Sequence, residues 1–437
     1  MKYRIAIATG LLLTSLSLHA DDLFQVYQLA KQNDPAYGAA IAEYNAAIEA
    51  SPKAMAGVLP QINLVGSHSE VYDESRKVGT NPATTEDYDS DTYSLTLTQT
   101  IYNKSRFDAV AQADALVAQA EAVFGNAKHD LVIRVAQRYF DVLSESENLV
   151  FARAEKKAIA QQLDQAKQRF KVGLTAITDV HEAQARYDQA VSQEIEAQRL
   201  YDISLEILRE LTGQLHTDLS KVTEKRELVA PEPADIDAWV DTSISNNLLL
   251  RSAEKAMDAA MEGRDLATAG HYPTLDLQAD YTDVSSSGGQ FGLFEKDGTT
   301  VSLVLNIPLY SGGGTSASSR EAAANHQRSK SLYEQQRRAT IRLARNSYLT
   351  VISAISQVNA LKQALVSTQT ALEATQAGFE VGTRTTVDVL DSQREMYRAQ
   401  RDYIRARHGY ILSTLQLKQA AGTLTEEDVR QINAWLE

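Results

Sequence analysis

The chain has 437 residues, no cysteine and a formal net charge of −14, with 57 acidic against 43 basic side chains. This acidic balance argues against a nucleic-acid partner, because the phosphates would be repelled. Without cysteine the chain has no disulfide, no thiolate metal site and no lipid-modified N-terminal cysteine. Its long stretches of alanine, glutamine and charged residues, with few aromatic residues, are typical of coiled coils rather than of ordinary globular domains.

Residues 1–20 are predicted to be a secretory signal sequence. Lys2 and Arg4 form a basic start, residues 5–18 are mostly apolar, and Ala20 ends a small-residue cleavage site. The apolar run is shorter than the ~20 residues that a membrane-spanning helix needs, which disfavours the alternative of a retained anchor. Cleavage removes two basic and no acidic side chains, so the exported chain is still more acidic.

The remainder is predicted to be one structural unit that occurs twice, in residues 21–230 and 231–437, with residues 423–437 as a C-terminal segment. Matching motifs recur 209 residues apart: Phe170-Lys-Val-Gly173 with Phe379-Glu-Val-Gly382, Tyr139 with Tyr348, and Thr178-Asp179-Val180 with Val387-Asp388-Val389. A fixed repeat period indicates duplication, and a duplicated unit usually buries a surface against its copy.

In each unit, a pair of predicted strands precedes the helical hairpin. In the first unit they follow a helical stretch and cover about residues 61–72 and 92–102. In the second unit they cover about residues 274–284 and 300–309. The evidence is a two-residue alternation of apolar and polar side chains, with polar, turn-forming loops between the strands of each pair.

The strands are predicted to cross a bilayer. Each has about ten residues, which is the length of a tilted transmembrane strand. Asp276 and Asp280 lie on the polar face and suit a water-filled lumen. Tyrosines lie near the strand ends, as in the aromatic girdles of membrane barrels: Tyr72, Tyr93, Tyr102, Tyr272, Tyr281 and Tyr310. The alternative is a small soluble sheet.

Four strands cannot close a barrel by themselves. An open strand edge in lipid would leave backbone groups unpaired, at several kcal/mol each. Because eight strands is the small end for such barrels, at least two chains must contribute. Eight strands from two chains and twelve from three both remain open, and the inward-facing charged and hydroxyl groups favour the wider pore.

A very long helical hairpin follows each strand pair. The first hairpin is predicted over about residues 103–213 and the second over about 315–422. The first arm of each contains no proline and, at about 1.5 Å per residue, is roughly 100 Å long. Gly173 and Gly382 stand where a helix C-terminus takes a left-handed residue, so each is predicted to be a hairpin tip.

The duplicated order of helix, strand pair and long hairpin resembles the TolC family of outer-membrane channels over essentially all of residues 21–437. The motifs that carry the resemblance are Gln25-Val-Tyr-Gln28, Leu59-Pro-Gln61, Leu163-Asp-Gln165, Val172-Gly-Leu174, Ala176-Ile-Thr-Asp-Val180, Pro273-Thr-Leu-Asp-Leu277, Val381-Gly-Thr-Arg384 and Val387-Asp-Val-Leu-Asp391. The resemblance implies a mainly α-helical fold with a transmembrane β-barrel. It further implies a homotrimer in which one shared 12-strand barrel continues into an α-helical tunnel through the periplasm.

The resemblance also implies a function and partners. The channel would be the passive exit duct of tripartite efflux pumps and type I protein secretion systems, for drugs, toxins or proteins. Its partners would be a periplasmic adaptor protein and an inner-membrane pump or ABC exporter, with outer-membrane lipid around the barrel. The sequence itself does not record which cargo or which pump is involved.

Residues at the periplasmic mouth are assigned by the same resemblance. It implies that the second hairpin packs inward and closes the mouth, with Asp388 and Asp391 as acidic rings at the narrowest point. Arg384 is implied to tie this inner hairpin to the outer one through Thr178 and Asp179. Three copies would place six carboxylates around the axis.

Two features of the sequence bear on these assignments. Phe379 stands where close relatives have a tyrosine that hydrogen-bonds Asp179, so that link is absent. Thr385 and Asp388 form a capping-box pattern, and a carboxylate in the first turn of a helix also complements the helix dipole. Capping is therefore the alternative role for Asp388, whereas Asp391 lies too deep in the helix for a cap.

No catalytic or cofactor-binding pattern is found in the sequence. His181-Glu182-Ala-Gln-Ala185 resembles the start of a zinc-protease helix, but alanine replaces the second histidine. Gly312-Gly-Gly314 lacks the lysine and hydroxyl residue of a phosphate loop. The sequence therefore predicts a channel without enzymatic activity, metal or cofactor. A structural periplasmic coiled-coil protein is the alternative.

Overall fold

The computed structural model describes residues 20–76, 84–223, 228–288 and 292–436. The predicted signal sequence, apart from Ala20, lies outside the described residues. In chain order the elements are α1 (Leu23–Asn33), α2 (Pro35–Ile48), α3 (Ala50–Ala56), β1 (Gln61–Arg76), β2 (Thr84–Asn103), α4 (Lys104–Lys171), α5 (Ile177–Thr212), α6 (Ile236–Asn246), α7 (Leu248–Ala269), β3 (Thr274–Gly288), β4 (Phe294–Asn306), α8 (Gly314–Glu380), α9 (Thr386–Ala421) and α10 (Glu426–Asn433).

The two halves of the chain repeat one plan, in which short helices precede a strand pair and a helical hairpin. The long arms α4 and α8 contain 68 and 67 residues, and the return helices α5 and α9 contain 36 residues each. At about 1.5 Å per residue, the long arms measure roughly 100 Å. The mainly α-helical fold with a small antiparallel sheet is the fold that the sequence predicts.

The helices begin and end at residues whose chemistry suits those positions. Asn103 precedes α4, and its side chain accepts a hydrogen bond from the backbone N–H of Arg106 at 3.3 Å. Such a cap satisfies a backbone donor that has no partner within the helix. Both return helices end at a glycine with positive φ, Gly213 at 74° and Gly422 at 71°. Glycine adopts this left-handed conformation without the steric penalty of a side chain.

The four strands form one antiparallel sheet in the order β1-β2-β3-β4. The central pair joins the two repeats, with Thr98 of β2 opposite Gln278 of β3. Strands β1 and β4 are the edges, and within the described residues neither has a strand on its outer side. The sheet of one chain is therefore an open ribbon.

All four strands extend past the predicted bounds toward the β1–β2 and β3–β4 turns. The observed and predicted bounds are Arg76 against 72, Thr84 against 92, Gly288 against 284, and Phe294 against 300. Part of each predicted loop is therefore strand, because backbone pairing continues whether or not the side chains are apolar. At its other end β4 stops at Asn306 rather than near residue 309, since Pro308 has no N–H for the ladder.

One face of the sheet is apolar across all four strands. Leu64 lies opposite Leu95, and Leu95 lies opposite Tyr281. The other face is polar, as where Thr96 lies opposite Asp280. The side chain of Leu64 is 74% exposed in one chain, so nothing in the described chain covers this apolar face.

The apolar face becomes acidic beyond Tyr93 and Tyr281. On the same face of the sheet, Asp91 lies two residues before Tyr93 and Asp283 two residues after Tyr281, in both cases toward the turns of the strand pairs. The carboxylate of Asp91 lies 2.8 Å from Nδ1 of His68 on the neighbouring strand. The tyrosines therefore mark the border of the apolar band.

Where the long arms pass the short helices, a belt of large side chains forms the main core. We call this region the belt and define it by Leu23, Tyr139, Leu208, Val351 and Leu415, which are at most 1% exposed. The phenol of Tyr139 donates to the carbonyl oxygen of Ser220 at 2.7 Å. Five helices, α1, α4, α5, α8 and α9, therefore pack together at this level.

Candidate gate at the hairpin tips

Both hairpin tips are glycine turns. Gly173 has a φ of 74° and Gly382 a φ of 79°, so both lie in the left-handed region that favours glycine. Each glycine N–H donates to a carbonyl in the last helical turn, from Gly173 to Phe170 at 3.0 Å and from Gly382 to Phe379 at 3.1 Å. The structure thus places the two predicted tip residues in the turns that end the long arms.

Asp388 is engaged in a capping box at the start of α9. Its Oδ2 accepts from the backbone N–H of Thr385 at 2.8 Å and from the Thr385 hydroxyl at 2.9 Å. In return the backbone N–H of Asp388 donates to Thr385 Oγ1 at 3.2 Å. The Thr385 N–H holds the pKa of the Asp388 carboxyl below its usual value, as the hydroxyl and the nearby Arg384 also do. The half-buried carboxylate is therefore ionised at neutral pH.

Asp391 lies between two guanidinium groups, one from each hairpin. Its Oδ1 is 3.0 Å from a terminal nitrogen of Arg186 on α5 and 3.7 Å from one of Arg394 on α9. Sequence reasoning did not identify Arg186, because no local pattern links two residues that are so far apart in the chain. The carboxylate predicted for the lumen is therefore paired within one chain.

Arg384 lies over the backbone of Gly378, where an added Cβ would be only 2.8 Å from the Arg384 Cγ. Asp179, its predicted partner, instead accepts a short hydrogen bond from the hydroxyl of Thr175 in the first hairpin. In the described parts of this single chain, no ion pair or hydrogen bond joins Arg384 to Thr178 or Asp179. That tie stays a prediction.

Phe379 contacts the first hairpin by a different interaction from the one that a tyrosine would make. The guanidinium carbon of Arg169 on α4 lies 4.6 Å from the centre of the Phe379 ring. A cation over an aromatic face at an exposed site contributes about 0.5–1 kcal/mol. The departure at residue 379 therefore removes a hydroxyl but leaves a contact between the hairpins.

Close to the tips, α9 packs on the first hairpin through a small apolar cluster that we call the seam. It consists of Ile159, Leu163 and Ala166 of α4, Ala183 and Ala190 of α5, and Leu390 of α9. Leu390 is 2% exposed, although its neighbour Asp391 carries a charge. The alanines allow the helices to approach closely, so a single leucine anchors α9.

Polar groups surround the seam. Burial raises the pKa of Glu155, and the charges of Arg394 and Arg401 oppose that effect. Gln393 is 7% exposed, and its Oε1 has no hydrogen-bond partner among the described residues. This part of α4 and α9 therefore buries polar groups that a stable core would avoid.

No metal centre is found in the part of the chain that the structure describes, where no group of three or more histidine, aspartate or glutamate side chains converges. His181 and Glu182 are exposed on α5. The chemistry available at the hairpin tips is charge pairing and capping.

The chain matches the family described as "Outer membrane efflux protein" over residues 26–214 and 239–423. It is 35% identical over 431 residues to the outer membrane protein TolC of Vibrio cholerae, covering 97% of this chain and 95% of that protein. It is 29% identical to the proteases secretion protein PrtF of Dickeya chrysanthemi, covering 99% of this chain and 95% of PrtF.

A solved structure shows the same fold at low sequence identity. The CmeC outer membrane channel of Campylobacter jejuni superposes with a TM-score of 0.81 at 15% identity, covering 95% of this chain and 90% of CmeC. The open ribbon with its apolar face is thus part of a barrel in the outer membrane, and the helical hairpins form a periplasmic tunnel. The chain belongs to the outer membrane efflux protein family, which is a family of channels rather than of enzymes.

Proposed function

We propose that three copies of the chain close one 12-stranded barrel and one helical tunnel, and that this duct exports solutes and proteins. The open ribbon carries the proposal, because β1 and β4 both lack an outer neighbour among the described residues. In hydrocarbon each unpaired backbone group costs several kcal/mol. Pairing β4 of one copy with β1 of the next satisfies every edge once the ring closes.

The polar inner face supports three copies rather than two. Asp276 and Asp280 share this face with a row of threonines, among them Thr96 and Thr98. The interior of an eight-stranded barrel is just wide enough for side chains to fill it, and the diameter grows with strand number. Twelve strands leave room for water around these carboxylates.

The partners are proposed from the relatives and from the tips. PrtF is named for the secretion of proteases, which supports a place in type I secretion as well as in efflux. The tips expose large apolar side chains, with Val172 69%, Leu174 75% and Val381 75% exposed. Such a patch fits a protein partner. The partners are thus a periplasmic adaptor with an inner-membrane pump or ABC exporter.

The first experiment measures assembly and conduction. The mature chain, extracted in detergent, is expected to have the mass of three copies by light scattering. It is also expected to open single channels in planar lipid bilayers. A chain that is monomeric in buffer without detergent and forms no channels would instead be the structural coiled-coil protein.

The mouth is proposed to be gated by the second hairpin, with Asp388 and Asp391 near the axis. Replacing both by alanine removes six charges from three copies, so we expect higher conductance and weaker block by multivalent cations. The control is Asp202→Ala with Glu206→Ala, which removes as many charges from α5. Bilayer recordings that give the same conductance and block for both double variants would contradict the assignment.

Arg384 is proposed to hold the closed mouth together with Thr178 and Asp179 of the first hairpin. Arg384→Ser should therefore raise the conductance of the closed state. Arg398→Ser is the matched control, since among the described residues Arg398 is paired with Glu395 and Asp402 of its own helix. Equal closed-state conductance in the two variants would show that Arg384 makes no tie.

A further inference from the structure

Arg186 and Asp391 form an ion pair between the first hairpin and the second hairpin. In the described chain, no other ion pair between the two hairpins lies so close to the tips. The Arg405–Glu145 pair at 2.7 Å also joins the two hairpins, but it lies near the belt. Asp391 follows Leu390, the residue that anchors α9 in the seam. The charge pair and the apolar anchor therefore act at the same point of α9.

The charges around Asp391 make Arg186 its main partner. Arg394 lies farther from the carboxylate, at 3.7 Å against 3.0 Å for Arg186. Arg394 also approaches Glu395 at 3.5 Å and acts on the half-buried Glu155. Arg394 is thus shared among three acidic groups, whereas Asp391 is the acid paired with Arg186.

We propose that Arg186 clamps the second hairpin to the first and neutralises Asp391 while the hairpins are docked. Asp388 is half-buried, and in the described chain its carboxylate is hydrogen-bonded within its own capping box, so Asp388 then supplies the negative charge at the mouth. When α9 leaves the seam, Asp391 loses Arg186 and keeps the more distant Arg394 of its own helix, so more negative charge is exposed at the mouth. The clamp rests on the proposed gate, but it lies within one chain and needs no neighbouring copy.

The exposure of the pair sets the size of the effect. The side chains of Arg186 and Asp391 are 34% and 43% exposed, so water screens their attraction. Exposed ion pairs of this kind shift the equilibrium between docked and separated hairpins by about two- to fivefold. If three copies each contain one independent ion pair, the three factors multiply, and the equilibrium of the whole mouth shifts by roughly ten- to a hundredfold. Loss of Arg186 should therefore be visible in a channel recording.

The test uses the full chain in planar lipid bilayers. Arg186→Gln is expected to raise closed-state conductance, and freed Asp391 should make block by hexamminecobalt(III) tighter by about two- to fivefold. Arg199→Gln is the control, because Arg199 Nε donates to Glu196 of the same helix at 2.8 Å. The charge swap Arg186→Asp with Asp391→Arg should restore the parent behaviour.

The proposal is overturned if Arg186→Gln conducts and is blocked like the parent, or if the charge swap fails to reverse its effect. A second measurement does not depend on whether those variants assemble into channels, because it detects a contact within one chain. The chain has no cysteine, so Arg186→Cys with Asp391→Cys introduces the only two thiols. A short bis-maleimide should join them within one chain, which then migrates as a compact monomer on a denaturing gel.

The crosslink also separates the clamp from the gate. A crosslinked chain in the bilayer should show lower conductance than the same variant before crosslinking. Failure of the two thiols to crosslink within one chain would refute the clamp even if the parent forms channels. A parent without channels, together with efficient crosslinking, would refute the proposed function and leave the contact between the hairpins standing.

Discussion

The belt and the seam are two contacts between the same hairpins, and they are built differently. The belt buries large side chains, with Tyr139 and Leu208 fully inaccessible. The seam buries three alanines, two leucines and one isoleucine, with Leu390 as the contribution of α9 to the cluster. In the belt the Tyr139 phenol is hydrogen-bonded, whereas three residues after Leu390 the buried Gln393 Oε1 has no partner among the described residues.

The difference indicates which contact can open. A dense apolar core loses stability with every removed contact, so the belt should stay closed while the channel works. The seam buries less apolar surface and carries a partly exposed ion pair, so water can replace its polar contacts at low cost. We therefore expect the hairpins to pivot at the belt and to separate at the seam when the mouth opens.

Among the predicted effects, the largest difference between the belt and the seam is expected from replacing one leucine of each by alanine. Leu208→Ala in the belt is expected to lower the free energy of unfolding by about 2–5 kcal/mol, because it leaves a cavity in a dense core. Leu390→Ala in the seam should cost less and raise closed-state conductance. Thermal unfolding by circular dichroism in detergent and bilayer recordings measure the two effects. Equal loss of stability in both variants would show that the seam is as essential as the belt.

His408 makes the belt sensitive to acid. Burial lowers the pKa of this imidazole from 6.5 to about 4, and Nδ1 lies 2.7 Å from the Ser144 hydroxyl. Because the folded state binds its proton less readily than the unfolded state, the contribution is complete above pH ~6.5 and falls toward pH 4. The shift corresponds to about 3 kcal/mol.

The measurement is the unfolding temperature as a function of pH. Between about pH 6.5 and 4 the parent should lose stability more steeply than His408→Gln, whose side chain can still reach Ser144. The control His181→Gln, at an exposed position on α5, should keep the slope of the parent. Identical slopes in all three proteins would mean that His408 is not buried as a neutral group.

Local patterns in the sequence predicted the sheet, the hairpin tips and the helix cap, because each of these depends on residues that are close together in the chain. Alternation located the sheet, and glycine after a long helix located the tips at Gly173 and Gly382. The capping box of Asp388 follows from the threonine three residues before it. The strand ends nearest the β1–β2 and β3–β4 turns were missed, because backbone pairing continues there through mostly polar residues. Most of this depends on residues that are close together in the chain.

The contacts between the hairpins could not be predicted in this way. Arg186 and Asp391 are brought together by the packing of α5 and α9, and no periodicity in either helix records the partner. The same holds for Arg169 over Phe379, where only the missing hydroxyl could be foreseen. Helix amphipathicity defines which face is buried, but it leaves the register between two long helices open.

The smallest effect in this comparison is expected from a substitution of Gln393. This substitution removes an unpaired buried amide close to the seam. Gln393→Met keeps the length of the side chain and removes the amide whose buried oxygen lacks a partner among the described residues. An unsatisfied buried polar group costs about 1–3 kcal/mol, so its removal should stabilise docking of α9 by up to that amount. Amide hydrogen exchange in the first turns of α9 should slow, and the channel should open less often.

The matched control is Gln416→Met, at an exposed position of the same helix. Slower exchange in Gln393→Met but not in this control would assign the effect to the seam. Exchange that stays as fast as in the parent would mean that water already satisfies the buried amide while the hairpins are docked.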